Sequence, residues 1–305
     1  MSDLVPPADG TGSLRAVHEL DADCTPISEL ARESLRSRLR RTRRRIRSIS
    51  KRSPASPESI HKLRVAIRRS EAALLVFGRL LPKQRTSRLR RQLKRLRQLA
   101  GEVRDIDVFL ERCIQRKVGP FQTASDLADF QSTRAAVAKR LQKQANQRQR
   151  RIRRFIVRVL RRVRWREPSR EPSVACAASE LLRPVADRCL AAATVDLDEL
   201  RNLHRLRIEV KRLRYATELL QSGLSGIPCA RLLQELAELQ QSLGQLCDHA
   251  ADVRLLEQYG EATRENTALL DAARRTLDDR QSDFVASWKR EGRNQFRQAV
   301  SDCLH

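Results

Sequence analysis

The sequence predicts an all-α protein built from two helical bundles of similar plan, and three observations support this fold class. Apolar residues recur at i, i+3, i+4 and i+7 along most of the chain, which is the spacing of one buried helix face. Alternating runs of the kind that form strands are scarce. Residues 61–105 also align with 204–248 without a gap, which indicates an internal duplication with an offset of 143 residues.

The first set of helices is predicted after a flexible leader at 1–26, which is rich in Pro, Gly and Asp and has no periodicity. The segment SPASPES, residues 53–59, supplies prolines and a Ser/Glu helix start, and Pro82 ends another helix. The predicted helices span 28–50, 58–81, 86–100, 105–117 and 122–163.

A polar, proline-rich linker, REPSREPS at 166–173, separates this set from a second one. The helices of the second set are predicted at 174–193, 198–221, 228–246, 248–260 and 262–299. We interpret the chain as one domain at 27–298, followed by a C-terminal tail at 299–305. Repeat one is expected to span 27–165 and repeat two 174–298.

The repeat is the most specific signal in the sequence, because 13 of its 45 aligned positions are identical. Leucines match easily by chance between helices, but a histidine, a glycine and an aspartate in one ungapped register do not. Two unrelated helical segments are the alternative interpretation. The identical residues of the first copy are His61, Leu63, Arg64, Arg69, Ala73, Leu81, Arg88, Leu89, Leu93, Leu96, Gln98, Gly101 and Asp105.

The charge of the chain indicates a negatively charged partner. There are 62 Lys and Arg against 37 Asp and Glu, which gives a formal net charge of +25 and a pI of 11.2. The excess is regional, because residues 31–100 hold 24 Lys/Arg and 3 Glu, and residues 134–166 hold 14 Lys/Arg and no acid. Such a balance is typical of proteins that associate with polyanions.

Several function classes fit the composition poorly. No apolar run approaches the roughly 18 residues of a membrane span, and the N-terminus lacks a signal-peptide pattern, so we expect a cytoplasmic protein with no membrane partner. The seven cysteines form no CxxC pair, which argues against a disulfide framework and a zinc site. Aromatic residues, at 4%, are few for stacking single-stranded nucleic acid.

Two predicted helices carry a stripe of cations beside their apolar seam. Like charges at i and i+4 destabilise a helix by roughly 0.2–0.5 kcal/mol per pair, so folding alone does not favour them. Phosphate oxygens accept charge-assisted hydrogen bonds from such groups, so two facing stripes are expected to form a trough for a linear polyanion. A solvated basic face is the alternative for any single cation. The stripes are His61, Arg64 and Arg68 in one copy and His204, Arg207, Lys211 and Arg214 in the other.

Three further features are secondary candidates. The predicted helix at 122–163 is basic nearly all round, and two interpretations are open: it extends the binding surface, or it only contacts nucleic acid weakly. Asp105 and Asp248 follow Gly101 and Gly244, and we interpret these aspartates as helix N-caps at turns. A basic edge of the first helix is expected to border the trough, and it consists of Arg36, Arg40, Arg43 and Arg47.

The segments HKLRVAIRR, LAGEVRDIDV, LHRLRIEVKRLRYATELL and LGQLCDHAADVRLL resemble motifs of the CHAD family, the conserved histidine α-helical domain. The resemblance covers about residues 27–298. It implies two pseudo-symmetric bundles with a basic central groove that binds inorganic polyphosphate, often at polyphosphate granules. Ser70 and Glu71 replace a Leu-Arg pair usual in the family, so the first copy is expected to bind more weakly. The ligand contacts implied are His61, Arg64, Arg68, Arg69, His204, Arg207, Lys211, Arg212, Arg214 and Tyr215.

Binding without catalysis is the expected function. The chain lacks the E-x-E-x-K pattern of the triphosphate tunnel domains that are fused to some members of the family, and it has no P-loop and no H-E-x-x-H motif. We therefore predict no catalytic residue, no metal ligand and no cofactor. The alternatives are a protein that binds nucleic-acid backbones and an accessory subunit of an enzyme that processes polyphosphate or triphosphate. Nucleic acid, bound weakly, is the second partner that the charge suggests.

Overall fold

Helices dominate the part of the chain that the computed structural model describes, which comprises residues 21–51, 55–116, 124–167, 170–259 and 264–305. Within these ranges, β-type pairing is confined to one isolated bridge between Pro26 and Ser173. The all-α prediction is therefore confirmed. The predicted leader lies outside the described residues as far as position 20.

The first four helices form one bundle, in which α1 and α3 each pack against both α2 and α4. α2 begins close to its predicted start, because Pro57 occupies the first turn and the Ser56 hydroxyl accepts a hydrogen bond from the Ser59 amide. A short 3-10 turn, Gly78–Leu80, connects α2 to α3. The helices are α1 (Ile27–Lys51), α2 (Pro57–Val76), α3 (Lys83–Arg116) and α4 (Ala124–Leu160).

The remaining helices form a second bundle, in which α6 packs against α5 and α7, and α7 packs against α8 and α9. A 3-10 turn, Gln221–Gly223, follows α6, and a π turn, Trp288–Gly292, joins α8 to α9. The Trp288 indole donates a hydrogen bond to the Ala193 carbonyl at 3.3 Å, which attaches the π turn to the end of α5. The helices are α5 (Val174–Ala193), α6 (Leu200–Leu220), α7 (Gly226–Tyr259), α8 (Arg264–Ser287) and α9 (Arg293–Leu304).

α3 and α7 are each one continuous helix, whereas the sequence predicted a break within each. Gly101 and Gly244 therefore lie inside helices, and the interpretation of Asp105 and Asp248 as N-caps is wrong. A glycine inside a helix costs about 1 kcal/mol relative to alanine, which the burial of a continuous apolar seam outweighs. The seam of α3 crosses the predicted break at Leu96, Ala100, Val103 and Ile106, all of them buried.

Both ends of the domain are more ordered than the sequence predicts. α9 continues through Leu304 and buries Val300 and Cys303, so residues 299–304 are part of the body and not a tail. At the other end, the Ile27 amide donates to the Pro172 carbonyl at 3.1 Å, and the Val174 amide donates to the Thr25 carbonyl at 2.9 Å. These hydrogen bonds join the start of the first bundle to the start of the second.

One hydrophobic core runs through both bundles, and α2 packs against α6 where they meet. Leu63 and Leu206, which the predicted repeat makes equivalent, are both buried in it. Both bundles run in the order helix, helix, 3-10 turn, long helix, helix, and the second bundle adds α9. The duplication itself stays a prediction. In the described ranges, no helix combines the length and the apolar character that crossing a membrane requires.

Candidate anion-binding groove

α2, α3 and α6 enclose a groove with a volume of about 510 Å³ at the junction of the two bundles. We call it the central groove. α2 and α6 contribute the predicted stripes, and α3 contributes a third wall. The groove is lined by Arg64, Arg68, Glu71, Ala72, Leu75, Ser87, Arg90, Arg91, Lys94, Arg97, Gln98, Gly101, His204, Arg207, Ile208, Lys211, Arg212 and Tyr215.

The apolar seams of α2 and α6 determine which side chains reach the groove. Because residues three or four apart share one side of a helix, burying Leu63 and Ile67 directs Arg64 and Arg68 to one flank of α2. Burial of Leu206 and Val210 has the same effect on Arg207 and Lys211 of α6. The packing of α2 against α6 then brings the two flanks together.

An arginine side chain from another helix lies over the backbone at both Gly101 and Gly244. Arg64 donates from Nη1 to the Gly101 carbonyl at 3.2 Å and to Asp105 Oδ1 at 3.3 Å. In the second bundle, a Cβ at Gly244 would be 3.9 Å from Arg207 Nη2, and that nitrogen lies 3.7 Å from Asp248 Oδ1. The aspartate of each copy thus pairs with the stripe arginine of that copy, which lies beside the glycine. This contact, rather than a turn, is the structural role of the shared Gly and Asp.

The lining carries far more positive than negative charge. Nine Lys and Arg side chains line the groove, against the single carboxylate of Glu71. Glu71 Oε2 lies 2.8 Å from Arg97 Nε, and burial raises the pKa of this carboxyl although Arg97 opposes the shift. Glu71 therefore compensates one cation of α3. Arg64, Arg207 and Arg212 also form ion pairs, with Asp105, Asp248 and Glu209, and the other five lining cations form none within the described ranges.

Lys211 and Arg68 show the electrostatic consequence. Burial, followed by repulsion from Arg207 and Arg68, lowers the pKa of Lys211 to about 7, with Asp248 opposing the shift. Burial and then repulsion from Arg64 lower the pKa of Arg68 to about 10. A bound anion would reverse both shifts, because it favours the charged form of each side chain.

The two histidines lie at the same electrostatically positive junction. Partial burial and then repulsion from Arg104 lower the pKa of His61, and partial burial and then repulsion from Arg207 lower the pKa of His204. Repulsion from Lys211 also lowers the pKa values of both imidazoles. For His61, Lys211 belongs to the opposite bundle. The lowered pKa values favour neutral rings in the absence of an anion.

The structure brings most, but not all, of the predicted contacts into the central groove. Arg69 stacks over the Tyr215 ring, with its guanidinium carbon 5.9 Å from the ring centroid, and it lies outside the lining. Arg214 also lies outside the lining, and its Nε donates a hydrogen bond to Glu218 Oε1 at 3.1 Å. His61 lies outside the lining as well. The predicted residues that do line the groove are Arg64, Arg68, His204, Arg207, Lys211, Arg212 and Tyr215.

The predicted basic edge of α1 does not border the central groove. Arg36, Arg40, Arg43 and Arg47 are all exposed, and Arg43 and Arg47 line a separate pocket of about 370 Å³ against α4. Arg38 instead faces the bundle junction, where burial and then repulsion from Arg69 lower its pKa to about 10. The buried residues Leu35, Leu39 and Thr42 lie on the same side of α1 as Arg38, so this side of the helix faces the protein interior.

Sequence reasoning missed the contribution of α3. Its cations recur every three or four residues, which is the spacing of one helix face. That spacing is visible in the sequence, but the predicted repeat does not mark these cations, because their counterparts in α7 are uncharged. The missed lining cations are Arg90, Arg91, Lys94 and Arg97.

The fold and the groove define an all-helical protein with a strongly cationic site between two bundles. A family model described as "CHAD domain" matches residues 33–257, so the chain belongs to the CHAD family. A search of curated proteins returned no match.

Two solved structures have a similar fold. The crystal structure of the CHAD domain from the plant Ricinus communis is 24% identical, with a TM-score of 0.64 over 92% of this chain and 93% of that chain. PptA from Streptomyces chartreusis is 19% identical, with a TM-score of 0.57 over 91% of this chain and 100% of that chain. Because both sequence identities are below 25%, these structural similarities show only that the fold is shared.

Proposed function

We propose that this protein binds inorganic polyphosphate in the central groove without hydrolysing it and associates with polyphosphate granules in the cytoplasm. The observation that carries the proposal is the convergence of nine Lys and Arg side chains on one groove, five of which form no ion pair within the described ranges. The CHAD family is associated with the binding of polyphosphate and triphosphate, which agrees with this chemistry.

The arrangement suits a linear phosphate polymer. Guanidinium groups present several donors in a planar fork that matches phosphate oxygens, and the lysine ammonium adds a rotatable point charge. Arg64 and Arg207 are already oriented by their helix contacts, so little side-chain freedom is lost when they bind. An anion between α2 and α6 would relieve the repulsion that lowers the pKa values of Arg68 and Lys211.

The lining favours retention of the ligand over phosphoryl transfer. Enzymes that transfer phosphoryl groups normally use divalent metal ions held by carboxylates. Glu71 is the carboxylate of the lining, and its pairing with Arg97 makes it a poor metal ligand.

The test is a titration with long-chain polyphosphate and with duplex DNA over a salt series, with and without magnesium. We expect polyphosphate to bind far more tightly than DNA at physiological salt, and the variant R207E/K211E to lose most of this affinity. Both anions should show an affinity that falls with salt through counterion release. K211Q provides a milder variant, because Lys211 has no ion pair in the described part of the chain.

R36E/R40E is the matched control, because it makes the same change of net charge on the exposed face of α1. It should leave polyphosphate affinity close to that of the wild type. Equal affinities for DNA and polyphosphate, unchanged in R207E/K211E, would favour a protein that binds nucleic-acid backbones. Magnesium-dependent release of orthophosphate would favour a role in enzymatic processing.

A further inference from the structure

A second basic pocket lies on the outer side of α3, between α3 and α4. Its volume is about 610 Å³, and we call it the α3–α4 pocket. Gln98 lines both this pocket and the central groove, so the two cavities adjoin across α3. The pocket is lined by Arg95, Gln98, Leu99, Glu102, Arg140, Lys143, Gln144 and Arg148.

The charge of the α3–α4 pocket is poorly compensated. Glu102 is its single carboxylate, and Glu102 Oε2 lies 3.8 Å from Arg140 Nη2. Arg95 and Lys143 form no ion pair within the described ranges. These two side chains and Arg148 are three cations of the pocket with no paired carboxylate within the described ranges. A bound anion would compensate their charge.

Arg148 gives the pocket an oriented donor. Its Nη1 donates to Gln92 Oε1 at 2.7 Å, and its Nε donates to Gln144 Oε1 at 2.7 Å. Both partners are neutral amides, so they fix the guanidinium without cancelling its charge. Its remaining N–H groups are available to phosphate oxygens, which accept such bonds strongly.

α3 offers a short path between the two cavities. Lys94 faces the central groove and Arg95 faces the α3–α4 pocket, and Gln98 follows both by one helical turn. The path from one cavity to the other is thus at most about one helix diameter, roughly 10–12 Å with side chains. The Gln98 amide stands at the crossing point and can donate to an oxygen of a chain that passes over it.

The second bundle offers no equivalent path. At the offset of 143 residues, Arg90 corresponds to Leu233, Lys94 to Ala237 and Arg95 to Glu238. The corresponding face of α7 therefore carries apolar groups and a carboxylate where α3 carries cations. At these three positions α7 thus carries no cation, and none of the residues that line the central groove belongs to α7.

We propose that the α3–α4 pocket is a second phosphate-binding subsite, and that a long polyphosphate crosses α3 at Gln98 from the central groove to reach it. This inference rests on the proposed function. It makes affinity depend on chain length, because a triphosphate occupies the central groove alone and a long chain occupies both cavities.

The test compares inorganic triphosphate and long-chain polyphosphate on the full chain and on the variant R95Q/K143Q. Both side chains are exposed and form no ion pair with the residues that the structure describes, so the variant should keep the melting temperature of the wild type. We expect its dissociation constant for long-chain polyphosphate to rise about tenfold, the scale of one or two charge-assisted hydrogen bonds, while that for triphosphate stays unchanged. The control R36Q/R40Q removes the same charge from α1 and should change neither constant.

Three outcomes would overturn the inference. The first is a long-chain affinity that falls no further in R95Q/K143Q than in R36Q/R40Q. The second is an equal loss for triphosphate and the long chain, which would mean that the pocket acts only through the general electrostatic field. The third is a loss confined to duplex DNA, which would make the pocket a nucleic-acid contact. R207E/K211E separates the two proposals, because it tests the central groove whatever the result for the pocket.

Discussion

Lys211 is the residue in which folding and ligand binding are most clearly opposed. It lies half-buried between Arg207 and Arg68, and these surroundings lower its pKa to about 7. The ammonium and amine forms therefore coexist near neutral pH when no anion is present. Only the ammonium form attracts phosphate, so the protonation of one side chain is linked to the occupancy of the groove.

We predict that polyphosphate affinity rises as the pH falls through about 7. Lowering the pH protonates Lys211 and then the two motif histidines, whose pKa values are also lowered, and each proton adds an attractive charge. A long chain is the suitable ligand, because its internal phosphates keep their charge over this range. The measurement is a set of dissociation constants across the pH range at constant ionic strength.

K211R and K211Q serve as controls for the pH dependence. K211R keeps its charge throughout and should flatten the curve near neutral pH, leaving the histidine contribution at lower pH. K211Q should flatten it at a lower affinity. An unchanged slope in K211Q would contradict the assignment of this effect to Lys211.

The two motif glycines lead to a prediction about stability. A Cβ at Gly244 would be 3.9 Å from Arg207 Nη2, an ordinary van der Waals contact. G244A should therefore stabilise the protein by about 0.5–1 kcal/mol, because alanine loses less backbone entropy in a helix. Urea unfolding measures the change. G244L should instead displace the guanidinium and lower polyphosphate affinity, and a destabilised G244A would show that the arginine needs a bare backbone.

At the scale of elements, α3 is the third wall of the groove, and its contribution can be separated from that of the stripes. We predict that R90Q/K94Q raises the dissociation constant for polyphosphate about tenfold, since two charged donors are lost from the lining. K83Q/R88Q is a matched control on the same helix, because Lys83 and Arg88 are exposed and outside the lining. Equal effects of the two variants would indicate that α3 acts only through the overall electrostatic field of the protein and not through direct contacts with the ligand.

The turn after α6 has a packing requirement that its counterpart after α2 lacks. A Cβ at Gly223 would lie 2.6 Å from the Val174 carbonyl oxygen and 2.9 Å from Ala178 Cβ on α5, closer than real contacts allow. We predict that G223A destabilises the protein by about 1–3 kcal/mol through overpacking. A Cβ at Gly78 meets nothing within 4 Å, so G78A should be nearly neutral. Similar unfolding midpoints for the two variants would contradict this difference.

Sequence patterns predicted elements better than they predicted element ends. α5 matches its predicted bounds, because Ser173 caps its start and accepts a hydrogen bond from the Cys176 amide. α3 and α7 were predicted with breaks, because a glycine followed by an acid resembles a turn. What the pattern lacked was the arginine from another helix that lies over each glycine, a contact between residues 37 positions apart in the case of Arg64 and Gly101.

At the scale of the whole molecule, the sequence indicated an anion-binding body but not which arginines face inward. α1 is basic on several sides, so spacing alone could not distinguish the exposed Arg36 and Arg40 from Arg38 at the junction. The choice depends on where the second bundle packs, which is a long-range property. The paired stripes of α2 and α6 were predictable because each adjoins an apolar seam.

The most direct test of the central claim is the rate of acetylation of each lysine, read by mass spectrometry with and without long-chain polyphosphate. Lys211 is the informative site, because the lowered pKa makes its amine reactive near neutral pH and because it lines the groove. We predict that polyphosphate strongly slows labelling of Lys211 and slows that of Lys94, while Lys62 and Lys289, paired with Glu58 and Asp198 away from the groove lining, are unaffected. Unchanged labelling of Lys211 at saturating polyphosphate would contradict the account.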